Sequence, residues 1–128
     1  MNRWHWIVFT GLVSIVSIPS FLSPTSAQDF GSSWRGEYFD GNDFDDDDLE
    51  FTRTDAAINF NWGSGSPDND ISDDNFTVRW TADINFANGT YAFTGGADDG
   101  LRAVVDGIAI MDFLGNDGDY EQQSSTLN

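Results

Sequence analysis

An antiparallel all-β fold, a β-sandwich or barrel, is what this chain predicts, and three observations predict it. Short runs such as Ile58–Trp62, Phe76–Thr81 and Gly89–Thr94 alternate apolar and polar residues, the period-two signature of half-buried strands. Clusters of Gly, Asn, Asp, Ser and Pro separate them at short intervals, as turns require. There is no sustained helical periodicity and no repeat of solenoid length. The acidic residues agree: nineteen of 22 are Asp and three are Glu, and Asp favours turns and caps where Glu favours helices.

The elements follow in order. Arg3 and His5 make a weakly basic start, Ile7–Ile18 is largely apolar, Pro19 breaks the run, and Thr25-Ser26-Ala27 has the small residues of a cleavage site. Residues 1–27 therefore read as a secretory signal peptide cut after Ala27. The apolar run falls short of the roughly 20 residues a spanning helix needs, so no membrane insertion is expected after cleavage. A short leader, 28–33, precedes one small domain, 34–128. Trp34–Phe39 is its first strand. Asp40–Glu50 is an acidic loop containing the run Asp45–Asp48, solvated and mobile because like charges repel; its cluster Asp43–Asp48 lacks the Gly at position six and the Glu at position twelve of an EF-hand loop. Ile58, Phe60 and Trp62 face inward between Asn59 and Asn61. Gly63–Asn75 is a polar loop in which Ile71 is the one apolar residue and Asp68, Asp70, Asp73 and Asp74 read as solvated.

Phe76, Val78 and Trp80 form the next inward face, with Thr77, Arg79 and Thr81 outward. Asn88-Gly89 is a turn, after which Tyr91 and Phe93 point in. Leu101–Val105 and Ile108–Met111 flank Asp106-Gly107, a two-residue hairpin signal because Gly accepts the positive φ such turns require. Residues 116–128 form a polar tail that need not be ordered. Trp34, Trp62 and Trp80 are expected in the core, where large rings bury much area. Arg79 and Arg102 are expected to pair with Asp on the outer face.

Charge and composition exclude several functions. The net charge is −17, from 22 acids against 5 Arg, which repels nucleic acid and anionic lipid. There is no Cys, so no disulfide framework exists, and the sole His, His5, lies in the signal segment. Ser-His and Cys-His catalysis are thereby removed, and a zinc site lacks its usual ligands. Acids on turns do not form the cleft-spanning pair of a glycosidase. The chain is not expected to be an enzyme.

The sharpest chemical feature is Asp98-Asp99-Gly100, preceded by Gly95 and Gly96. Two adjacent carboxylates at a turn can meet a cation that takes six to eight oxygens, and the glycines permit a tight backbone path. The plainer alternative is a turn whose carboxylates accept from backbone N–H groups.

Taken in order and spacing, Trp34-x-Gly36-Glu-Tyr-Phe39, Ile58-x-Phe-x-Trp-Gly63 with Ser66-Pro67, Phe76-x-Val-Arg-Trp80, Gly89-Thr-Tyr-x-Phe93, Asp98-Asp-Gly100, Arg102 and Val105-Asp-Gly107 resemble the PA14 domain family. The resemblance runs from Trp34 to about Asp112 and implies a β-sandwich or barrel-like fold in a secreted or cell-surface protein, the periplasm being an alternative destination. Several members bind carbohydrate. In the adhesin branch an Asp-Asp pair joined by a cis peptide holds Ca²⁺, which also ligates sugar hydroxyls; Asp98 and Asp99 match that pair, with Gly95, Gly96 and Gly100 around them. The family domain continues for several strands beyond the position of Ile110–Phe113, and the adhesins' second calcium loop lies in that part, so the sandwich is expected to lack its last strands. Two functions follow as expectations: a secreted, calcium-assisted module that binds a glycan or cell-surface polysaccharide, or a non-catalytic interaction or spacer module, or fragment of a larger secreted protein, whose open sheet edges invite strand exchange with a partner.

Overall fold

A computed structural model describes residues 2–9, 13–18, 33–86, 88–113 and 121–127. The expected cleavage motif Thr25–Ala27 and nearly all of the leader lie outside these residues. The described chain forms ten strands and a single 3₁₀ turn, arranged as two antiparallel sheets, in agreement with the all-β expectation.

The strands are β1 (Asn2–Phe9), β2 (Val13–Ile18), β3 (Trp34–Phe39), β4 (Leu49–Asp55), β5 (Asn59–Phe60), β6 (Thr77–Ile84), β7 (Tyr91–Ala97), β8 (Leu101–Val105), β9 (Ile108–Phe113) and β10 (Glu121–Leu127). A six-stranded sheet runs β4-β3-β6-β1-β8-β9 and a four-stranded sheet runs β10-β7-β2-β5. The segment read as an export signal thus supplies a strand to each sheet. Within the polar tail, Glu121–Leu127 pairs with β7 along its length, Glu121 opposite Ala97 and Leu127 opposite Tyr91. Side-chain polarity does not prevent a strand whose backbone groups find a ladder.

The core lies between the sheets. Val78, Trp80, Ala82 and Ile84 from β6 meet Leu101, Ala103 and Val105 from β8 and Phe93 and Ala97 from β7. Trp80 is fully buried, and its ring stacks on Phe60 (5.4 Å, 6° between planes) and Trp62 (6.4 Å, 3°), with Tyr38 edge-on at 6.0 Å. The expected inward residues Ile58, Phe76, Val78 and Phe93 are buried, while Phe60, Trp62 and Tyr91 are half-buried. Thr77 departs from its outward expectation. It is fully buried, and its hydroxyl donates to the Asp43 carbonyl at 2.6 Å. That bond, the Phe39–Phe44 ring contact at 5.3 Å and the Asp40 N–H to Asp48 carbonyl bond at 2.9 Å tie down the acidic loop. Asp45 caps the 3₁₀ turn Asp46–Asp48, in which no residue is buried.

β4 carries no apolar alternation that sequence reading could find, because its inner positions are Leu49, Phe51, Arg53 and Asp55. Asp55 is buried, and three donors converge on it. Tyr38 Oη and Trp80 Nε1 donate to Oδ2 at 2.6 and 2.7 Å, and Arg53 Nε donates to Oδ1 at 2.7 Å. Arg53 also lies over the Tyr38 ring, 4.4 Å from its centroid, a cation–π contact. Gly36 faces Arg53 on one side and Trp80 on the other in the strand register, and its missing side chain lets these groups meet.

The opposite face of β3 carries Glu37, buried and clamped by Arg35 and Arg79; Arg79 Nε donates to Oε2 at 2.5 Å. Arg79 therefore finds a Glu rather than the expected Asp, whereas Arg102 pairs with Asp112 at 3.3 Å. Burial pushes the Glu37 carboxyl up, but hydrogen bonds and charge from Arg79 and Arg35 outweigh it and hold it below its ordinary 4.5. A lowered folded value means that stability from this group is present above pH 4.5 and is lost as pH falls through the folded value. Tyr38 is shifted the other way, far above 10, by burial first and then by its bond to the Asp55 carboxylate and that group's charge. Its contribution is complete below pH 10 and is lost as pH rises beyond it. Thermal melts across both limbs should show Glu37→Gln flattening the acid limb and Tyr38→Phe flattening the alkaline limb; a variant that leaves its limb unchanged refutes the assignment of that limb.

Candidate functional site

Between β7 and β8 the chain turns through Asp98, Asp99 and Gly100, and the Asp98–Asp99 peptide bond is cis. The two carboxylates do not stand alone. A cavity of about 160 Å³ is lined by Gly63–Gly65, by Asp73, Asp74 and Phe76, and by Asp98 and Asp99. The two ends of the loop between β5 and β6 thus meet the β7–β8 turn.

Local chemistry builds the second wall. Asn61 Oδ1 accepts from the Gly63 N–H at 3.0 Å, and Gly63 takes φ +61, a conformation other residues rarely adopt. Gly65 N–H closes a turn on the Trp62 carbonyl at 3.0 Å. Further along, Asp68 accepts from the Asp70 N–H, the Ser66 hydroxyl donates to the Asp68 carbonyl at 2.8 Å, and the Ile71 N–H donates to the same carbonyl at 3.1 Å. Ile71 is buried and anchors the loop. Asp40 holds the next residue, accepting from the Ser72 N–H and hydroxyl at 2.9 and 3.1 Å. Asp73 and Asp74 follow directly, so a pinned loop delivers them to the cavity.

Asp73 and Asp74 are exposed, as read from sequence, and also line the cavity with Asp98 and Asp99. Spacing along the chain offers no signal for this, since about 25 residues and two strands intervene. Gly95 and Gly96, by contrast, lie within β7 and are buried, away from the cavity lining. Gly95 serves packing: a Cβ there would stand 2.5 Å from Leu101 Cδ2 and 3.3 Å from Met111 Cε. Gly100 is buried in the turn, immediately before β8. Trp34 and Trp80 are core residues, and Trp62 is half-buried immediately before the cavity's Gly63.

The donor set is entirely oxygen: four carboxylates and a Gly-Ser-Gly backbone. That suits a hard cation such as Ca²⁺ and not zinc. Among the described residues no three His, Cys, Asp or Glu side chains converge as a ready metal cluster, so the carboxylates line the cavity without closing on a centre. Among the described residues there is also no helix long and apolar enough to cross a membrane.

A family model described as the PA14 domain matches residues 31–126. Over 83 residues the chain is 42% identical to anti-sigma-I factor RsgI3 of Acetivibrio thermocellus. That match covers 64% of this chain and 13% of the relative. No solved structure matches.

Proposed function

We propose that this chain, which belongs to the PA14 domain family, is a non-catalytic module that binds carbohydrate outside the cell, with Ca²⁺ held at the Asp98–Asp99 turn. PA14 domains are binding-type domains, typically of extracellular proteins. The observation that carries the reading is the cavity in which Asp98 and Asp99 stand beside Asp73 and Asp74. Asp98 and Asp99 are the ligands assigned, and Asp73 and Asp74 add negative charge to the same cavity without converging with them on one centre. The cation's chemistry here is to neutralise the carboxylates and offer open coordination positions to a sugar diol. Such a site on an open loop end is wet and weak for one sugar. Export through the N-terminal segment belongs to the same reading, as does a place within a larger protein, which the partial match to RsgI3 supports.

The test uses the whole chain, calcium, EDTA and a panel of insoluble polysaccharides. Calcium at about 100 times its Kd is expected to raise the melting temperature by roughly 10 °C or more. In the Asp98→Ala/Asp99→Ala variant it should raise it not at all. Polysaccharide retention should disappear in EDTA and in the variant. Equal calcium shifts in both proteins would move the metal elsewhere; retention unaffected by EDTA would remove the metal from binding; no retention on any polysaccharide would end the carbohydrate reading.

A further inference from the structure

The six-stranded sheet is bridged by the segment that export would remove. β1 pairs with β6 over eight positions, Asn2 opposite Ile84 to Phe9 opposite Thr77, and with β8 over five, Trp4 opposite Val105 to Val8 opposite Leu101. β6 and β8 do not pair with each other, so without β1 the sheet divides into β4-β3-β6 and β8-β9. Two facing ladders of N–H and C=O groups would then lose their partners, a cost that the backbone meets by finding another strand.

The register states what fits. Directly opposed residues of an antiparallel pair share a face. Trp4, Trp6 and Val8 stand opposite Ala82, Trp80 and Val78 on one side and Val105, Ala103 and Leu101 on the other, and these six partners on β6 and β8 are buried. Arg3 and His5 stand opposite Asp83 and Thr81. The groove thus receives a strand with large apolar residues at every second position, and the present occupant has two basic residues and no acid. A net charge of −17 opposes an acidic strand, which disfavours a second copy of this Asp-rich chain.

We propose that the groove between β6 and β8 is a strand-acceptor site. Asn2–Phe9 holds it in the whole chain, and once processing removes those residues it takes an extended segment of another polypeptide, apolar at alternate positions and neutral or basic between. The hand-over rests on the export reading above; the acceptor itself does not.

The experiment places a specific protease sequence in residues 20–26 of the full chain and cuts it after folding. The probe is a labelled synthetic peptide of residues 1–11; the control peptide exchanges Trp4, Trp6 and Val8 with Arg3, His5 and Ile7. After cleavage the N-terminal fragment should remain with the body on gel filtration. Stripping it in denaturant should lower the melting temperature or prevent refolding. The probe peptide at about 100 times its Kd should restore the melting temperature by roughly 10–20 °C, binding one to one, and the control should not. The acceptor is refuted if the stripped body keeps its melting temperature and binds neither peptide, or if it fails to fold and neither peptide rescues it. A stripped body that dimerises instead gives the groove to a second copy and overturns the assigned partner. Exported protein whose mass retains Met1 overturns the hand-over while leaving the peptide measurements intact.

Discussion

Replacing Asp55 with alanine is expected to cost roughly 3–5 kcal/mol of stability, the range for breaking a buried charged network from one side. Its carboxylate accepts from Tyr38 Oη, Trp80 Nε1 and Arg53 Nε at once. Removing it leaves two buried donors without an acceptor and a cation beside aromatic rings without its counter-charge. Each stranded donor alone costs about 1–3 kcal/mol. Asp55→Asn should fall between alanine and wild type, because it keeps one acceptor oxygen but turns an NH₂ toward a donor. Denaturant titration of the three proteins measures the series. If Asp55→Ala lies within about 1 kcal/mol of wild type, the carboxylate does not organise this end of the core.

The second large effect is expected at Gly36. An alanine Cβ there would sit 2.6 Å from Asp55 Oδ2, 2.8 Å from Tyr38 Cε2 and 3.1 Å from Trp80 Nε1. None of these groups is a free chain end: each is held by the hydrogen bonds the methyl would displace. Overpacking of this kind costs roughly 1–3 kcal/mol, and the upper part of that range is expected. The two substitutions act on the same atoms, so they should not add. With Asp55 already alanine, the closest clash is gone, and Gly36→Ala should cost less than it does in wild type. Strict additivity in the double-mutant cycle would show that Gly36 is needed for some other reason.

These two residues mark the boundary of what the sequence discloses. β3, β6 and the β8–β9 hairpin are legible because alternation and burial coincide: Phe76, Val78 and Trp80 are buried, and Asp106-Gly107 takes φ +49 and +81, the pair of positive angles a tight hairpin uses. β4 is illegible because the same alternation is written with Arg53 and Asp55, and Asp55 is satisfied by Tyr38 and Trp80, 17 and 25 residues away. The site is half legible. Adjacent carboxylates at a turn announce Asp98 and Asp99, but Asp73 and Asp74 look like any other Asp in a polar loop until Ile71 and Asp40 pin that loop in place. The N-terminal run was ambiguous for a physical reason as well. An apolar stretch of this length suits an export signal and a pair of strands equally, and only the pairing of β1 with β6 and β8 and of β2 with β7 discloses the second use.

The near-parallel rings of Phe60, Trp62 and Trp80 give the molecule an optical handle. Two indoles held this close couple through their strong far-ultraviolet transition, so they should produce a paired-sign far-ultraviolet dichroism signal that isolated tryptophans lack. Trp62 is covalently joined to Gly63 at the cavity wall, so any ligand that shifts this loop tilts one chromophore against the other. Arrival of a guest at the aspartates would then be read from the ultraviolet dichroism of the unlabelled protein.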